Sequence, residues 1–130
     1  MKNARILLVE DDVLNQEVMG AMLRILGYHT DIATDGAEAL QALSSNNYQL
    51  ILMDCKMPVM DGFEAVNTIR NSAEAWRHIP VIAITANALS GERERCMNAG
   101  MDEYLSKPVK MEDLGKMLER FISDDVRDDE

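Results

Sequence analysis

Acidic, hydroxyl and amine side chains recur in this sequence directly after short apolar runs. The set comprises the carboxylates Glu10, Asp11, Asp12 and Asp54, the hydroxyl of Thr85 and the amine of Lys107. Carboxylates gathered at one place repel one another by roughly 4 kcal/mol per close pair at an effective dielectric of about 20, so a cation must neutralise them. Mg²⁺ suits such a site because it takes only one or two protein carboxylates and leaves coordination space for a phosphate.

The remaining side chains in this set suit phosphoryl transfer. Lys107 offers a positive charge to one phosphoryl oxygen, and the Thr85 hydroxyl offers a hydrogen bond to another. Asp54 follows the run that looks most buried and is the predicted nucleophile, whereas the adjacent Asp11 and Asp12 are better suited to metal binding. Taken singly, each residue has an ordinary structural explanation, such as a helix cap for a lone Asp. Their joint occurrence after four runs favours the functional interpretation.

Five apolar runs predict the strands that would position these side chains. The runs cover residues 5–9, 29–33, 50–53, 81–85 and 103–106. Between them, apolar residues recur at helical spacing, and Gly27, Gly100 and the pair Asp35 and Gly36 are predicted helix boundaries. Strand followed by helix, five times, predicts a parallel sheet covered on both faces, and the unbroken runs LILM and VIAIT fit central strands. The carboxyl ends of such strands meet at one edge, where ligands bind.

Length and composition limit the classes of function. The 130 residues suit one domain, which we place at 1–122, followed by an acidic tail or linker at 123–130. A net charge of −10 argues against nucleic-acid binding. The sequence has no apolar stretch near the ~20 residues of a membrane span and no secretion signal, which predicts a cytoplasmic protein. Cys55 and Cys96 are predicted to be buried thiols in a reducing compartment.

Four segments together resemble the receiver domains of response regulators in two-component signalling. They are EDD at 10–12, LILMDCKMPVMDGFEA at 50–65, ITANAL at 84–89 and AGMDEYLSKP at 99–108. The resemblance extends from about Ile6 to Phe121. It implies a flavodoxin-like, doubly wound α/β fold with five helices and a five-stranded parallel sheet in the order 2-1-3-4-5.

The resemblance also implies the roles of the acidic residues. Asp54 would be the phosphoacceptor. Asp11 and Asp12 would hold Mg²⁺ directly or through water, with Asp54 and the backbone carbonyl of Lys56 as further ligands. Lys56 and Asn87 would border the path of attacking water and so tune the lifetime of the aspartyl phosphate.

The same resemblance implies a conformational switch. Thr85 and Lys107 would contact phosphoryl oxygens, and the bond between Lys107 and Pro108 would be cis, which proline allows at low cost. Phosphorylation would draw Thr85 inward, and Tyr104 would rotate into the vacated space. The face formed by the fourth helix, fifth strand and fifth helix would then change its preference for partners.

The segments LNQEVM, MPVMDGFEA and TANAL are most similar to receiver domains attached to hybrid sensor histidine kinases, with a stand-alone regulator beginning at Met1 as the alternative. The implied phosphoryl partner is a histidine kinase or a histidine phosphotransfer domain. Either a monomer or a phosphorylation-dependent dimer is compatible with the sequence.

Three other classes of protein fit the sequence less well. A haloacid dehalogenase-type phosphatase also uses a strand-end Asp and Mg²⁺, but it needs a second Asp two residues later, where this chain has Lys56. A flavin carrier would cradle a phosphate in the first loop, which here is the repulsive EDD. An EF-hand fails on ligand spacing. We therefore expect that the chain is not an enzyme and that it catalyses only its own phosphorylation and slow hydrolysis of the aspartyl phosphate.

Overall fold

The structure is a computed structural model that describes residues 4–57, 59–86 and 91–127, with side chains described as far as residue 122. Its strands are β1 Arg5–Val9, β2 His29–Ala33, β3 Leu50–Asp54, β4 Val81–Thr85 and β5 Glu103–Ser106. Its helices are α1 Val13–Ile25, α2 Gly36–Ser45, α3 Gly62–Asn71, α4 Glu92–Ala99 and α5 Met111–Arg127, with a short 3₁₀ turn at Ala75–His78.

All five strands are parallel and follow the order β2-β1-β3-β4-β5. This confirms the predicted fold. β3 and β4 are buried along their whole length, as their unbroken apolar runs predict. The register places Val9 of β1 beside Met53 of β3, so Glu10, directly after β1, lies beside Asp54 at the end of β3.

Two apolar layers cover the sheet. On β1, Ile6 and Leu8 point into the layer formed with α1 and α5, whereas Leu7 and Val9 point into the layer formed with α2, α3 and α4. This alternation is the two-residue period of a strand with both faces buried. Cys55 and Cys96 are buried thiols, as predicted, and burial raises the pKa of both above its ordinary value.

Gly27, Gly100 and the pair Asp35 and Gly36 lie at helix ends, as predicted. Asp12, Asp35 and Asp61 are the N-caps of α1, α2 and α3, and each side chain accepts a hydrogen bond from the backbone N–H three residues later. Gly27 and Gly100 follow α1 and α4 with φ of 96° and 107°, a conformation that favours glycine. These caps and glycines mark the residues at which the helices begin and end.

The last helix extends beyond the expected end of the domain. α5 runs through Arg127, past the division after residue 122 that the sequence favours. That division into a domain and an acidic tail stays a prediction. No helix in the described ranges is long and apolar enough to cross a membrane.

Glycine is required at Gly62 because α3 begins against the end of β3. A Cβ at this position would collide with the backbone carbonyl of Asp54, whereas a Cβ at Gly20 of α1 would meet open space. We expect Gly62→Ala to lower the free energy of unfolding by roughly 1–3 kcal/mol. Gly20→Ala should raise it by up to about 1 kcal/mol through helix propensity. Urea denaturation measures both, and equal effects of the two substitutions would contradict this packing.

Candidate functional site

The carboxyl ends of β1, β3, β4 and β5 border one cavity of about 190 Å³. Its lining includes the residues that the sequence singles out, namely Asp11, Asp12, Asp54, Lys56, Thr85 and Lys107, together with Glu10. Groups separated by up to 97 positions in the chain (Glu10 to Lys107) therefore meet at one edge of the sheet. Parallel strands bring this about because all their carboxyl ends lie on the same side.

Three carboxylates in this cavity form a cluster that could hold a metal ion. Glu10, Asp11 and Asp54 each offer an oxygen, and these oxygens lie within 4.8 Å of one another. Glu10 and Asp54 are only 2% and 5% exposed, whereas Asp11 is open to solvent. A site with two buried acids and one exposed acid offers hard oxygen ligands and an open side for a further ligand.

The structure differs from the sequence analysis in the identity of the acidic pair. The expected metal ligands are Asp11 and Asp12, whereas the acids that cluster with Asp54 are Glu10 and Asp11, and Asp12 is the N-cap of α1. The assignment of the metal ligands stays a prediction. The Asp12 carboxylate accepts a hydrogen bond from the Asn15 backbone N–H at 3.0 Å, which satisfies a donor that the helix leaves without a partner. Asp12 still lines the cavity, but it is not one of the three clustered carboxylates.

Glu10 belongs to the acidic set named from the sequence, but the sequence analysis gave it no separate role. Its backbone N–H donates to the Ala33 carbonyl of β2 at 2.9 Å, so the hydrogen bonding between β1 and β2 continues one residue past Val9. The signal for a role at the site was its position directly after the apolar run RILLV. Burial raises the pKa of Glu10 to about 7; the hydrogen bond from the Asp12 N–H opposes this rise, and the negative charge of Asp54 adds to it.

Lys107 connects the two buried carboxylates. Its Nζ lies 3.3 Å from Asp54 Oδ2 and 3.5 Å from Glu10 Oε1. Burial lowers the pKa of Lys107, but the charges of Asp54 and Glu10 outweigh this and hold the pKa above its ordinary value. The ammonium is therefore charged and partly neutralises the cluster. The peptide bond between Lys107 and Pro108 is cis, as the resemblance implies.

Thr85 and Tyr104 lie on neighbouring strands at the same face of the sheet. Thr85 pairs with Ser106, and Tyr104 precedes Ser106 by two residues. The Thr85 hydroxyl is buried and donates a hydrogen bond to Glu92 Oε1 at 3.3 Å. Tyr104 is half-buried, with the guanidinium of Arg93 5.7 Å from the centre of its ring.

Of the two residues expected to tune the phosphoryl lifetime, Lys56 and Asn87, the structure describes Lys56. Lys56 lines the cavity, its side chain is exposed, and its backbone N–H donates to Asp54 Oδ1 at 3.3 Å. Asn87 lies outside the described residues.

A family model and similar solved structures all indicate the same protein family. A family model described as the response regulator receiver domain matches residues 6–119. The receiver domain of a sensor histidine kinase from Pseudomonas aeruginosa PAO1, whose structure has a magnesium ion coordinated in the active site cleft, is 48% identical, with a TM-score of 0.85 over 92% of this chain and 98% of that one. The receiver domain of the response regulator Ssk1 from Saccharomyces cerevisiae, crystallised with the histidine phosphotransfer protein Ypd1, is 27% identical, with a TM-score of 0.85 over 96% of this chain and 92% of that one.

The similar curated proteins are much longer than this chain. Hybrid signal transduction histidine kinase B of Dictyostelium discoideum is 37% identical over 94% of this chain, which covers 7% of that protein. Sensor histidine kinase RcsC of Escherichia coli (strain K12) is 41% identical over 87% of this chain, which covers 12% of that protein.

The raised pKa of Glu10 predicts a cost in stability. The folded state holds the Glu10 proton up to a pH of about 7, above the ordinary value of 4.5, so this group favours folding more strongly as pH falls from about 7 towards 4.5. With a chelator present, Glu10→Gln should raise the free energy of unfolding at pH 8 by roughly 1–3 kcal/mol and have little effect below pH 4.5. Urea denaturation across this range measures it, with the exposed Glu17→Gln as the control. A loss of stability at pH 8 would contradict the assigned environment of Glu10.

Proposed function

The chain belongs to the response regulator receiver domain family, and from this membership we propose that Asp54 accepts a phosphoryl group from a phosphohistidine donor in a Mg²⁺-dependent reaction. The observation that carries the proposal is the cluster of Glu10, Asp11 and Asp54 with the Lys107 ammonium 3.3 Å from the Asp54 carboxylate. This arrangement places a nucleophile, a set of metal ligands and a fixed positive charge within one cavity. Together they match what phosphoryl transfer requires.

The clustered oxygens fit Mg²⁺. We assign the ion to Asp11, Asp54 and the backbone carbonyl of Lys56, with Glu10 bound directly or through water in the role first expected for Asp12. When bound, Mg²⁺ supplies the positive charge that allows an anionic phosphoryl group to enter a site lined by carboxylates.

The transfer itself is carried by Asp54. One carboxylate oxygen of Asp54 attacks phosphorus, the bond from phosphorus to the donor histidine nitrogen breaks, and the electron pair of that bond stays on the imidazole. Lys107 then exchanges its ion pair with Asp54 for a contact with a phosphoryl oxygen. The Thr85 hydroxyl donates to a second oxygen.

The signal leaves the site through Thr85 and Tyr104. When Thr85 turns towards the phosphoryl group, the half-buried ring of Tyr104 on the neighbouring strand rotates inward. The face formed by α4, β5 and α5 then changes its preference for partners. Lys56 and Asn87 tune how fast the aspartyl phosphate is hydrolysed.

The donor is a histidine kinase or a histidine phosphotransfer domain. The first turns of α1 expose Val13, Leu14 and Val18, which are 64%, 65% and 50% accessible, and α1 begins directly beside the acidic cavity. Exposed apolar groups beside a reaction site suit a partner that must present its phosphohistidine there. The co-crystallised yeast neighbour supports this type of partner.

The wider context follows from the same membership. We propose a cytoplasmic receiver domain at residues 1–122 that belongs to a hybrid kinase or a related phosphorelay protein. Its only catalysis would be its own phosphorylation and slow hydrolysis of the product. The haloacid dehalogenase-type phosphatase gains no support, because Lys56 occupies the position where that chemistry needs a second Asp.

Removal of the nucleophile should prevent modification. Wild-type protein incubated with acetyl phosphate and Mg²⁺ should take up one phosphoryl group per chain, as intact-protein mass spectrometry measures. Asp54→Asn should take up none, and excess chelator should prevent uptake by the wild type. Asp12→Asn, which keeps an N-cap side chain, is the matched control and should still be labelled. Labelling of Asp54→Asn, or continuous release of phosphate, would refute the proposal.

Replacement of Lys107 should separate metal binding from the response to phosphoryl. Lys107→Ala should leave Mg²⁺ affinity unchanged or somewhat tighter, because the lost charge repels a cation. It should weaken binding of the phosphoryl mimic beryllofluoride by at least about tenfold, since a charged hydrogen bond contributes roughly 1.5–3 kcal/mol. Titration calorimetry measures both constants, and the exposed Lys110→Ala is the control. Undiminished beryllofluoride binding would exclude Lys107 from this role.

A further inference from the structure

Glu92 is a buried carboxylate that has no part in the proposed reaction. It is the first residue of α4, and only 9% of it is exposed. Its Oε1 accepts the hydrogen bond from the Thr85 hydroxyl, which is itself 2% exposed. The same helix turn carries Glu94, which is exposed. Burial is therefore specific to Glu92 and is not a general property of acidic residues at this helix start.

Helix electrostatics explain only part of this placement. A carboxylate in the first turn of a helix is stabilised by the helix dipole, but that benefit is available to Glu94 without burial. A buried carboxylate is costly unless it is hydrogen-bonded. Among the described residues, Glu92 takes part in no ion pair, and the Thr85 hydroxyl is the side-chain donor found for it. The hydrogen bond between them therefore stabilises both the buried Thr85 hydroxyl and the buried Glu92 carboxylate.

We propose that Glu92 is a positioning residue that competes with the phosphoryl group for the Thr85 hydroxyl and so favours the unphosphorylated conformation. The inference rests on the proposed function. A hydroxyl carries one hydrogen and can donate one such bond, so Thr85 cannot donate fully to Glu92 and to a phosphoryl oxygen at once. Phosphorylation must exchange one bond for the other.

This exchange connects the site to the start of α4. When Thr85 turns to the phosphoryl group, the Glu92 carboxylate loses a charge-assisted hydrogen bond in a buried place, which is unfavourable unless it moves. Because Glu92 is the first residue of α4, its movement displaces the beginning of that helix. The carboxylate thus lowers the population of the active conformation before phosphorylation and transmits the change afterwards.

The affinity for beryllofluoride in saturating Mg²⁺ tests the competition. Glu92→Ala should bind the mimic roughly tenfold more tightly than wild type, because a competing charge-assisted bond is lost. Glu92→Gln keeps the shape and a weaker acceptor, so its gain should be smaller, about two- to threefold. Glu94→Gln removes the same charge from the same helix turn and should match wild type. Mg²⁺ affinity without the mimic should stay within about twofold in all three variants, since none alters the clustered carboxylates.

A double-mutant cycle excludes a purely structural effect. In a Thr85→Ala background the hydroxyl is absent, so Glu92→Gln should no longer tighten binding. Unchanged or weaker binding by Glu92→Gln, or a gain that persists without the Thr85 hydroxyl, overturns the inference. If Glu92→Ala fails to fold by circular dichroism, Glu92→Gln decides the matter. Wild type that binds no beryllofluoride, or Asp54→Asn that binds it as well as wild type, refutes the proposed function and this inference with it.

Discussion

Repulsion among the carboxylates of Glu10, Asp11 and Asp54 is the constraint on which the rest of this site depends. Their oxygens lie within 4.8 Å of one another because β1 and β3 are paired in register and end side by side. Such an arrangement is unfavourable without a cation. Lys107 supplies one positive charge from the end of a third strand, and a divalent ion would supply more. The cluster therefore favours a bound cation, and under the proposed function a neutralised site would admit the phosphoryl group.

The fold keeps this unfavourable cluster in place. β3 and β4 are buried on both faces, and apolar layers on each side of the sheet prevent the strand ends from moving apart. Gly62 allows α3 to begin against the carbonyl of Asp54. In contrast to this buried framework, Thr85 has a partner that the proposed switch would exchange. In the proposed mechanism, the reaction takes place at groups on the strand ends, while the signal depends on a hydroxyl that donates either to Glu92 or to a phosphoryl oxygen.

Much of this arrangement could be predicted from residue patterns. Unbroken apolar runs located the central strands, and the glycines after α1 and α4 located helix ends, because both signals are local. Which acids cluster with Asp54 could not be predicted, since the positions of Glu10 and Asp12 depend on the residue at which α1 begins. A shift of one residue separates a carboxylate of the cluster from a helix cap. Glu92 had no local signal at all: Glu94 occupies the same helix turn, and only the burial of Glu92 and its hydrogen bond from Thr85 distinguish the two.

The most direct measurement is a diffraction structure of the protein with Mg²⁺ and beryllofluoride. We expect beryllium bonded to a carboxylate oxygen of Asp54 and a metal ion about 2.1 Å from oxygens of Asp11 and Asp54. The Lys107 ammonium should contact a fluoride, and Asp12 should still cap α1. A metal ion held by Asp12 outside the cluster, or beryllofluoride attached to another side chain, would contradict the account.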